Sequence, residues 1–481
     1  MNPNTPLVPS SSPPPARAKW WVMLGVGLGV LMFTLDTSIV NIALPTLVEA
    51  FQTTFATVEW VVLSYLLVVT ALVLGAARLG DMVGKKRLYL GGLIVFTISS
   101  LLCGLSPGVG WLIGFRALQG FGAVMISALG AAIVTEAFPD AERGRALGII
   151  GAVVSLGIAL GPTVGGVLIG LWDWRMIFLV NVPIGIFASF VVARNVPANR
   201  YPLSSQTFDW MGLVLMTIAL ISFALGMTHG QEAGFGHPVT LGLLAIAVVG
   251  LTLFLRLESK LNAPLIDLFL FRNRQFSLSL LIGILVFIVI AGTIFILPFF
   301  LELVLDYPTS HAGLLLAVSP VLGGIVAPFS GNLSDRFGTR IISLIGLILM
   351  VMGCLFMSTF HAQMTDLGYI VRVAPFGIGL GMFQSPNNSA IMGSIPPERL
   401  GIASGLLSLT RTLGQTTGVP LLGAIFAGMV LTHSTATAVT EAPPQALVAG
   451  VQMTLKIAAA ILTIAVSIAF LLWRSRRFTS R

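Results

Sequence analysis

The sequence predicts an all-α transmembrane protein built as two six-helix bundles that face the same way, with two extra helices between them. Three observations carry this. The 481 residues are 56% hydrophobic and only 9% charged, whereas a soluble globular chain carries about 25% charged residues, so lipid must be the solvent. About fourteen apolar runs approach the roughly 20 residues that a helix needs to cross a hydrocarbon core. The second half of the chain also repeats the first at a near-constant offset.

Residues 1–19, "MNPNTPLVPSSSPPPARAK", are rich in Pro and Ser and are expected to form a disordered cytoplasmic tail. They lack a charged start followed by a short apolar run, so they do not read as a cleaved leader. The first bundle is assigned to 20–196, with runs centred near Val30, Val68, Phe96, Val124, Leu156 and Pro183. Two inserted helices, near Ile218 and Ile246, fall in 205–260. The second bundle is assigned to 273–474, centred near Val286, Leu322, Leu347, Ile378, Leu413 and Ala460, and 475–481 form a basic cytoplasmic tail. The runs are continuous rather than alternating, which excludes a barrel.

Charge gives the expected orientation. With the N-terminus inside, Arg17, Lys19, Arg78, the Lys85–Arg87 run, Arg143, Arg145, Arg256, Arg272, Arg336, Arg340, Arg399 and the C-terminal arginines all fall on one side, and Arg175 falls on the other. Excess Lys and Arg mark cytoplasmic loops, so both termini are expected in the cytoplasm, in an inner-membrane protein. The net charge of +8 does not indicate nucleic acid, because the bases sit in short loops between apolar runs. Cys103 and Cys354 lie inside apolar runs and offer neither a disulfide framework nor metal spacing. His229, His237, His311, His361 and His433 sit in outer loops or at helix ends without a metal-ligand partner, so no metal and no enzyme activity is expected. A sensor or scaffold would usually add a soluble domain, and the loops leave no room for one.

The repeat is specific. "RLGDMVGKKR" (Arg78 to Arg87) and "NLSDRFGTR" (Asn332 to Arg340) share a Leu-x-Asp-x-x-Gly core, with Asp81 and Asp335 about 254 residues apart. Arg116 is followed 27 residues later by Arg143, and Arg372 is followed 27 later by Arg399. Parallel repeats of this kind point to a carrier whose halves rock around a central site.

Polar residues inside the apolar runs are the candidate site. Asp36 sits in mid-helix, where a carboxylate costs roughly 2.5–3.5 kcal/mol on the insertion scale. Arg116, two turns into the fourth helix, is its expected partner, the two facing a shared cavity and offsetting each other's desolvation. This pair is the candidate proton-coupling site. Asn41, Tyr65, Gln119, Gln384, Asn387, Asn388, Arg411 and Gln415 are the candidate substrate-cavity residues. Trp60, Tyr65, Phe299 and Phe300 are candidate apolar wall. Arg372 and Lys456 are further polar groups that either line the cavity or cross-link helices. Asp81, Gly84, Asp335 and Gly338 are candidates for a conformational latch: the glycines allow a tight turn, and each carboxylate can cap a helix or pair with Arg or Lys. Gly157, Gly161, Gly165 and Gly166 allow a close helix approach. With Pro162, which adds a kink, they form the candidate gating helix. A phosphate-binding loop is excluded, since Leu79 stands where its first Gly is required.

Several stretches carry a family resemblance. "LDTSIVNIALP" (Leu35 to Pro45), "ARLGDMVGKKR" (Ala77 to Arg87), "RALQGFGA" (Arg116 to Ala123), "GIALGPTVGG" (Gly157 to Gly166) and "WRMIFLVNVPIG" (Trp174 to Gly185) together resemble the major facilitator superfamily. Within it they resemble the fourteen-helix drug:proton antiporter group, over about Trp20 to Trp473. The loop motif departs where Ala77 replaces the usual first Gly and Met82 the usual Arg. The resemblance implies a major facilitator fold and a monomeric exporter of amphipathic drugs and dyes. Its partners are small molecules, protons and the bilayer; it needs no cofactor and is driven by the proton gradient. Embedded charge leaves an alternative open. Asp36 is the one deep acid against Arg116, Arg372, Arg411 and Lys456, which suits a dedicated transporter of one metabolite or organic anion.

Overall fold

The structure is a computed structural model that describes residues 16–53, 55–197, 208–261, 264, 266, 268–396, 399–434 and 442–475. Its long helices are α1 (Ala16–Phe51), α2 (Phe55–Val83), α3 (Lys85–Gly104), α4 (Val109–Ala137) and α5 (Arg143–Leu171), then a short α6 (Met176–Leu179) and α7 (Asn181–Asn195). The intervening pair is α8 (Trp210–Ala233) and α9 (Pro238–Glu258). The second half holds α10 (Arg274–Phe299), α11 (Thr309–Leu316), α12 (Val318–Phe337), α13 (Thr339–Met357), α14 (Asp366–Met392), α15 (Leu400–Thr432) and α16 (Pro444–Ser475). Fourteen spans among the described residues are long and apolar enough to cross a bilayer, and each expected centre lies in one of them. There is no strand among the described residues.

Local chemistry sets the ends. Asp209, Asn273 and Thr365 accept the free N–H groups at the starts of α8, α10 and α14, as capping side chains do. Pro238 opens α9, where its missing N–H costs nothing. Residues 1–15 of the expected disordered tail lie outside the described residues, whereas Ala16 to Lys19 are already helical, continuous with α1. Residues 476–481 of the basic tail are also outside. Three spans are less regular than hydropathy suggested. α6 and α7 share the sixth. α11 and α12 meet at Ala317 in the tenth. The ninth ends in a π-turn, Phe300–Val304, just past Pro298, where Leu305 N bonds to Phe300 O at 3.2 Å. Such departures come from ring clashes and missing donors, which an apolar count cannot register.

In the first half α1 packs on α5 and α7, and α2 and α3 both pack on α4. In the second, α13 packs on α14 and α16, α10 on α15 and α16, and α12 on α14. The halves meet where α5 runs against α12 and α14, and where α15 runs against α2 and α4. α8 and α9 pack on each other, and α8 also touches α2 and α15. One apolar core in the first half runs on into Met216, Phe254, Phe276 and Leu400, and a smaller one in the same half gathers around Ile39, Leu112 and Phe178. A third fills the other half around Phe300, Met350, Phe376 and Leu462. The loops rich in Lys and Arg gather at one end of the helices, called the basic end below.

Candidate functional site

The polar side chains of α1 are largely satisfied within their own helix. Thr34 Oγ1 donates to Val30 O at 2.9 Å and Thr37 Oγ1 to Phe33 O at 2.8 Å. Asp36 has no such recourse, since a carboxylate only accepts. Donors from two other helices surround it. Arg116 Nη1 on α4 reaches Oδ2 at 2.6 Å, while Gln119 Nε2 at 2.9 Å and Asn181 Nδ2 on α7 at 3.1 Å both reach Oδ1. Arg116 is itself held: Nε donates to Val61 O at 3.0 Å, Nη1 donates to Gln119 Oε1 at 2.6 Å, and the guanidinium lies 4.2 Å from the Tyr65 ring. Gln119 donates on to Ser100 Oγ at 2.8 Å. Asp36 is 0% and Arg116 1% exposed. Paired and hydrogen-bonded on all sides, these charges meet the condition for being buried at all.

This differs from the expected arrangement. The two charges touch directly and are walled off in this conformation, instead of facing a shared cavity. Tyr65 and Gln119, expected in that cavity, belong to the buried network. Ser100 and Asn181 were not anticipated. Asn181 is a polar residue in the apolar stretch "FLVNVPIG", and that signal was readable. Its Oδ1 is buried without a hydrogen-bond partner, which leaves an acceptor open beside the carboxylate.

A central cavity of about 70 Å³ lies between the halves. Phe33 and Val30 line it from α1, Ser127 from α4, Gln384 and Asn388 from α14, and Ser404, Ser408 and Arg411 from α15. Arg411 is the one formally charged residue among those lining it, with its guanidinium 5.2 Å from the Phe33 ring. Phe33 is three residues from Asp36, about one turn of α1. Of the other expected cavity residues, Asn387 donates to Ser279 O at 3.3 Å and ties α14 to α10. Gln415 is exposed and not among the lining residues. The side chains of Asn41 and Pro162 lie outside the described residues. The expected aromatic wall is dispersed: Phe300 stacks on Phe360 in the core of the second half, Phe299 packs against Phe426, and Trp60 is 44% exposed. Arg372, the repeat counterpart of Arg116, bonds Thr359 Oγ1 and Gly368 O near its helix start. Lys456 is exposed on α16.

At the basic end Asp81, in the last turn of α2, and Asp335, in the last turn of α12, reach across the halves. Asp81 accepts from Gly401 N and Ile402 N, both at 3.1 Å, at the start of α15, and pairs with Lys85 at 2.9 Å. Asp335 accepts from Gly144 N and Arg145 N, both at 3.1 Å, at the start of α5. Each half thus caps the other half's helix, where N–H groups and the helix dipole favour an anion. Gly84 and Gly338 precede α3 and α13 with φ of 110° and 91°, a region open to glycine alone at little cost. Gly157 and Gly161 face α1, where an added Cβ would lie 2.0 Å from Thr34 Oγ1 and 1.9 Å from Ser38 Oγ. Gly165 is buried and Gly166 exposed further along α5.

No group of three or more His, Cys, Asp or Glu side chains suits a metal ion among the described residues.

The family model described as Major Facilitator Superfamily matches residues 26–419. The chain is 37% identical over 411 residues to the Riboflavin transporter RibZ of Clostridioides difficile, covering 85% of this chain and 89% of that one. It is 34% identical over 412 residues to the Multidrug resistance protein Stp of Mycobacterium tuberculosis, covering 85% and 76%. Among solved structures, it matches the crystal structure of the human organic anion transporter MFSD10 (TETRAN) with a TM-score of 0.66 over 95% of this chain and all of that one; at 14% identity this is a likeness of fold.

Proposed function

The chain belongs to the Major Facilitator Superfamily, and from that premise we propose that it is a proton-coupled exporter of amphipathic small molecules. As a family member it is a multi-pass membrane transporter, not an enzyme. The finer reading places it in the cytoplasmic membrane with both termini inside, working as a monomer. The observation that carries it is the sealed Asp36–Arg116 pair, one turn along α1 from the central cavity. An intramembrane ion pair of this kind suits a proton relay.

The cycle runs on this chain's own residues. Asp36 is deprotonated and paired with Arg116 while cargo enters from the cytoplasm. The halves then rock, and the central cavity opens to the outside. A proton arriving from outside attaches to an Asp36 carboxylate oxygen, weakens the grip of Arg116 and favours release. Return of the empty carrier delivers the proton inside. A potential of 100 mV supplies about 2.3 kcal/mol for each charge moved. The Asp81 and Asp335 contacts serve as latches that hold the cytoplasmic ends together in the outward-facing part of the cycle, and the α5 glycines let that helix slide and bend against α1. A cavity of about 70 Å³ is smaller than the roughly 300–1,000 Å³ of ligand pockets, so cargo binding requires the halves to part further.

Arg411 favours a second reading, a dedicated carrier of one metabolite or organic anion. A cavity whose lining carries a guanidinium and no carboxylate repels lipophilic cations and attracts neutral polar or anionic cargo. The relatives' names span both classes, one a multidrug resistance protein and one a riboflavin transporter.

Proteoliposomes with an imposed pH gradient test both readings, using a panel of cationic dyes, anionic dyes and riboflavin. Native protein is expected to drive uphill movement and Asp36→Asn to lose it. Equal uphill movement by both proteins removes Asp36 from coupling. Movement of riboflavin or anions with no movement of cations selects the second reading.

A further inference from the structure

A second cavity, larger than the central one, lies at the basic end and plays no part in the cycle above. Its volume is about 440 Å³. Three parts of the chain build its wall: Arg78 of α2, Glu258 at the end of α9 with Leu261, Phe269 and Arg272 beyond it, and the start of α15 with Arg399 and Ile402. The described lining residues carry three guanidiniums against one carboxylate. That carboxylate is already committed, since Glu258 Oε2 accepts from Ile266 N at 3.1 Å and ties the chain there back to α9. Arg78, Arg399 and Glu258 also have partners within the protein, so the cluster is a built wall and not a set of loose surface bases.

We propose that this cavity binds a phosphate-bearing anion of the cytoplasmic side, and that binding favours the conformation in which the basic end is closed. Three arginines in a concave site present planar forks of donors that match phosphate oxygens. The rim adds an apolar element: Phe269 is 65% exposed beside the cavity, with Leu261 next to it. A phospholipid headgroup with its chains along Phe269 satisfies both features, and a free phosphate satisfies the first.

The link to conformation is geometric. Arg78 stands three residues before Asp81, and Ile402 donates its N–H to Asp81 Oδ2. The cavity therefore wraps the Asp81 contact and draws its wall from both halves. An anion seated there bridges Arg78 on one half and Arg399 on the other, and parting the halves divides its binding site. A ligand that binds one state better shifts the population toward that state.

The feature also belongs to one copy of the repeat. Asn332 stands where the second copy would need the counterpart of Arg78. The Asp335 contact at the start of α5 therefore lacks that guanidinium, and the Asp81 cluster adds Glu258 at the end of α9 and Arg272 beyond it.

The test uses the full chain in detergent with spin labels on Arg87→Cys and Pro396→Cys, both exposed at the basic end on opposite halves. The native Cys103 and Cys354 are buried. Inter-label distances are measured with dioctanoyl phosphatidylglycerol, with dioctanoylglycerol as the phosphate-free control, and with inorganic phosphate at matched ionic strength. Phosphatidylglycerol is expected to raise the closed-to-open ratio at least about threefold in native protein. Arg272→Gln and Arg399→Gln should each abolish that rise, while Arg272→Lys, which keeps the charge, should retain part of it. A rise with inorganic phosphate alone supports the site and assigns it to a free anion. The proposal is overturned if neither anion shifts the ratio, if dioctanoylglycerol shifts it equally, or if the glutamine variants respond as native protein does. No transport is measured, so failure of the exporter reading leaves this result interpretable.

Discussion

Removing one of the reciprocal caps at the basic end should loosen the whole closed face, and the size of the effect follows from the contacts. In Asp81→Asn the amide keeps one acceptor oxygen, so one of the two bonds to Gly401 N and Ile402 N is lost. A hydrogen bond to a charged group contributes about 1.5–3 kcal/mol, and a negative charge at a helix start about 0.3–1 kcal/mol. Lys85 keeps Glu136 at 2.9 Å, so that side of the loop retains a partner. The closed state should lose about 2–4 kcal/mol, roughly 30- to 700-fold in the closed-to-open ratio. The reporter is Ser334→Cys on the other half, at a position now 2% exposed and bonded within its own helix turn. Its alkylation rate by a water-soluble maleimide should rise in proportion, because a face that opens as a body exposes Ser334 whichever cap is broken. A rise of less than about threefold, under 1 kcal/mol, would show that the Asp81 contact is not holding the halves together.

Other outcomes follow from the same geometry. Arg116→Gln should destabilise the protein by about 3–5 kcal/mol by stranding Asp36, and Asp36→Asn added to it should recover part of that loss; thermal denaturation in detergent compares the single and double variants. Gly84→Ala and Gly338→Ala should each cost about 1–3 kcal/mol through backbone strain, since nothing lies within 4 Å of a Cβ at Gly338. Gly91→Ala, also in open space but inside α3, should be neutral or stabilising by up to about 1 kcal/mol. Gly161→Ala should drive α1 and α5 apart, because its Cβ would meet Ser38 Oγ, and should lower both the unfolding temperature and the transport rate. At the opposite end from the basic loops, Tyr307 donates to Asp366 Oδ1 at 2.7 Å, and this bond pushes the phenol above its ordinary value near 10. A raised value means the folded state holds the proton more tightly. The stabilisation lost in Tyr307→Phe should therefore be constant between about pH 5 and about pH 9, fall away at lower pH as the Asp366 carboxylate takes up a proton, and vanish as pH climbs through the raised value of the phenol, as pH-dependent melting would record.

The spans were legible because lipid imposes a length and a composition on every crossing, and each of the fourteen runs is a helical span, although the sixth and tenth are each split in two. The Asp36–Arg116 pairing was legible for a related reason: a bilayer leaves a buried charge few partners, and the chain offers few. What sequence did not disclose was which way side chains turn. Gln119 and Tyr65 sit at helical spacings compatible with the cavity, yet they turn to the ion pair, because Arg116 needs an acceptor and a ring face. Arg372 shares its repeat position with Arg116 but lies in a copy where Asp36 has no acidic counterpart, so it bonds to nearby backbone and Thr359. The π-turn after Pro298 and the break at Ala317 depend on local clashes. The arginine cavity depends on residues 78, 272 and 399, which only folding brings together.

The crossed caps of Asp81 and Asp335 also constrain how such a chain could have arisen. In an ancestor with one copy of the unit, the two caps would be a single residue used twice in a symmetric pair, and any change would alter both together. Once the copies are joined in one polypeptide they are free to diverge. Here one has acquired Lys85 beside its carboxylate, where the other has Thr339. Gene fusion thus gives the two clasps separate strengths, so that either can be tuned without the other while the face still opens as one body.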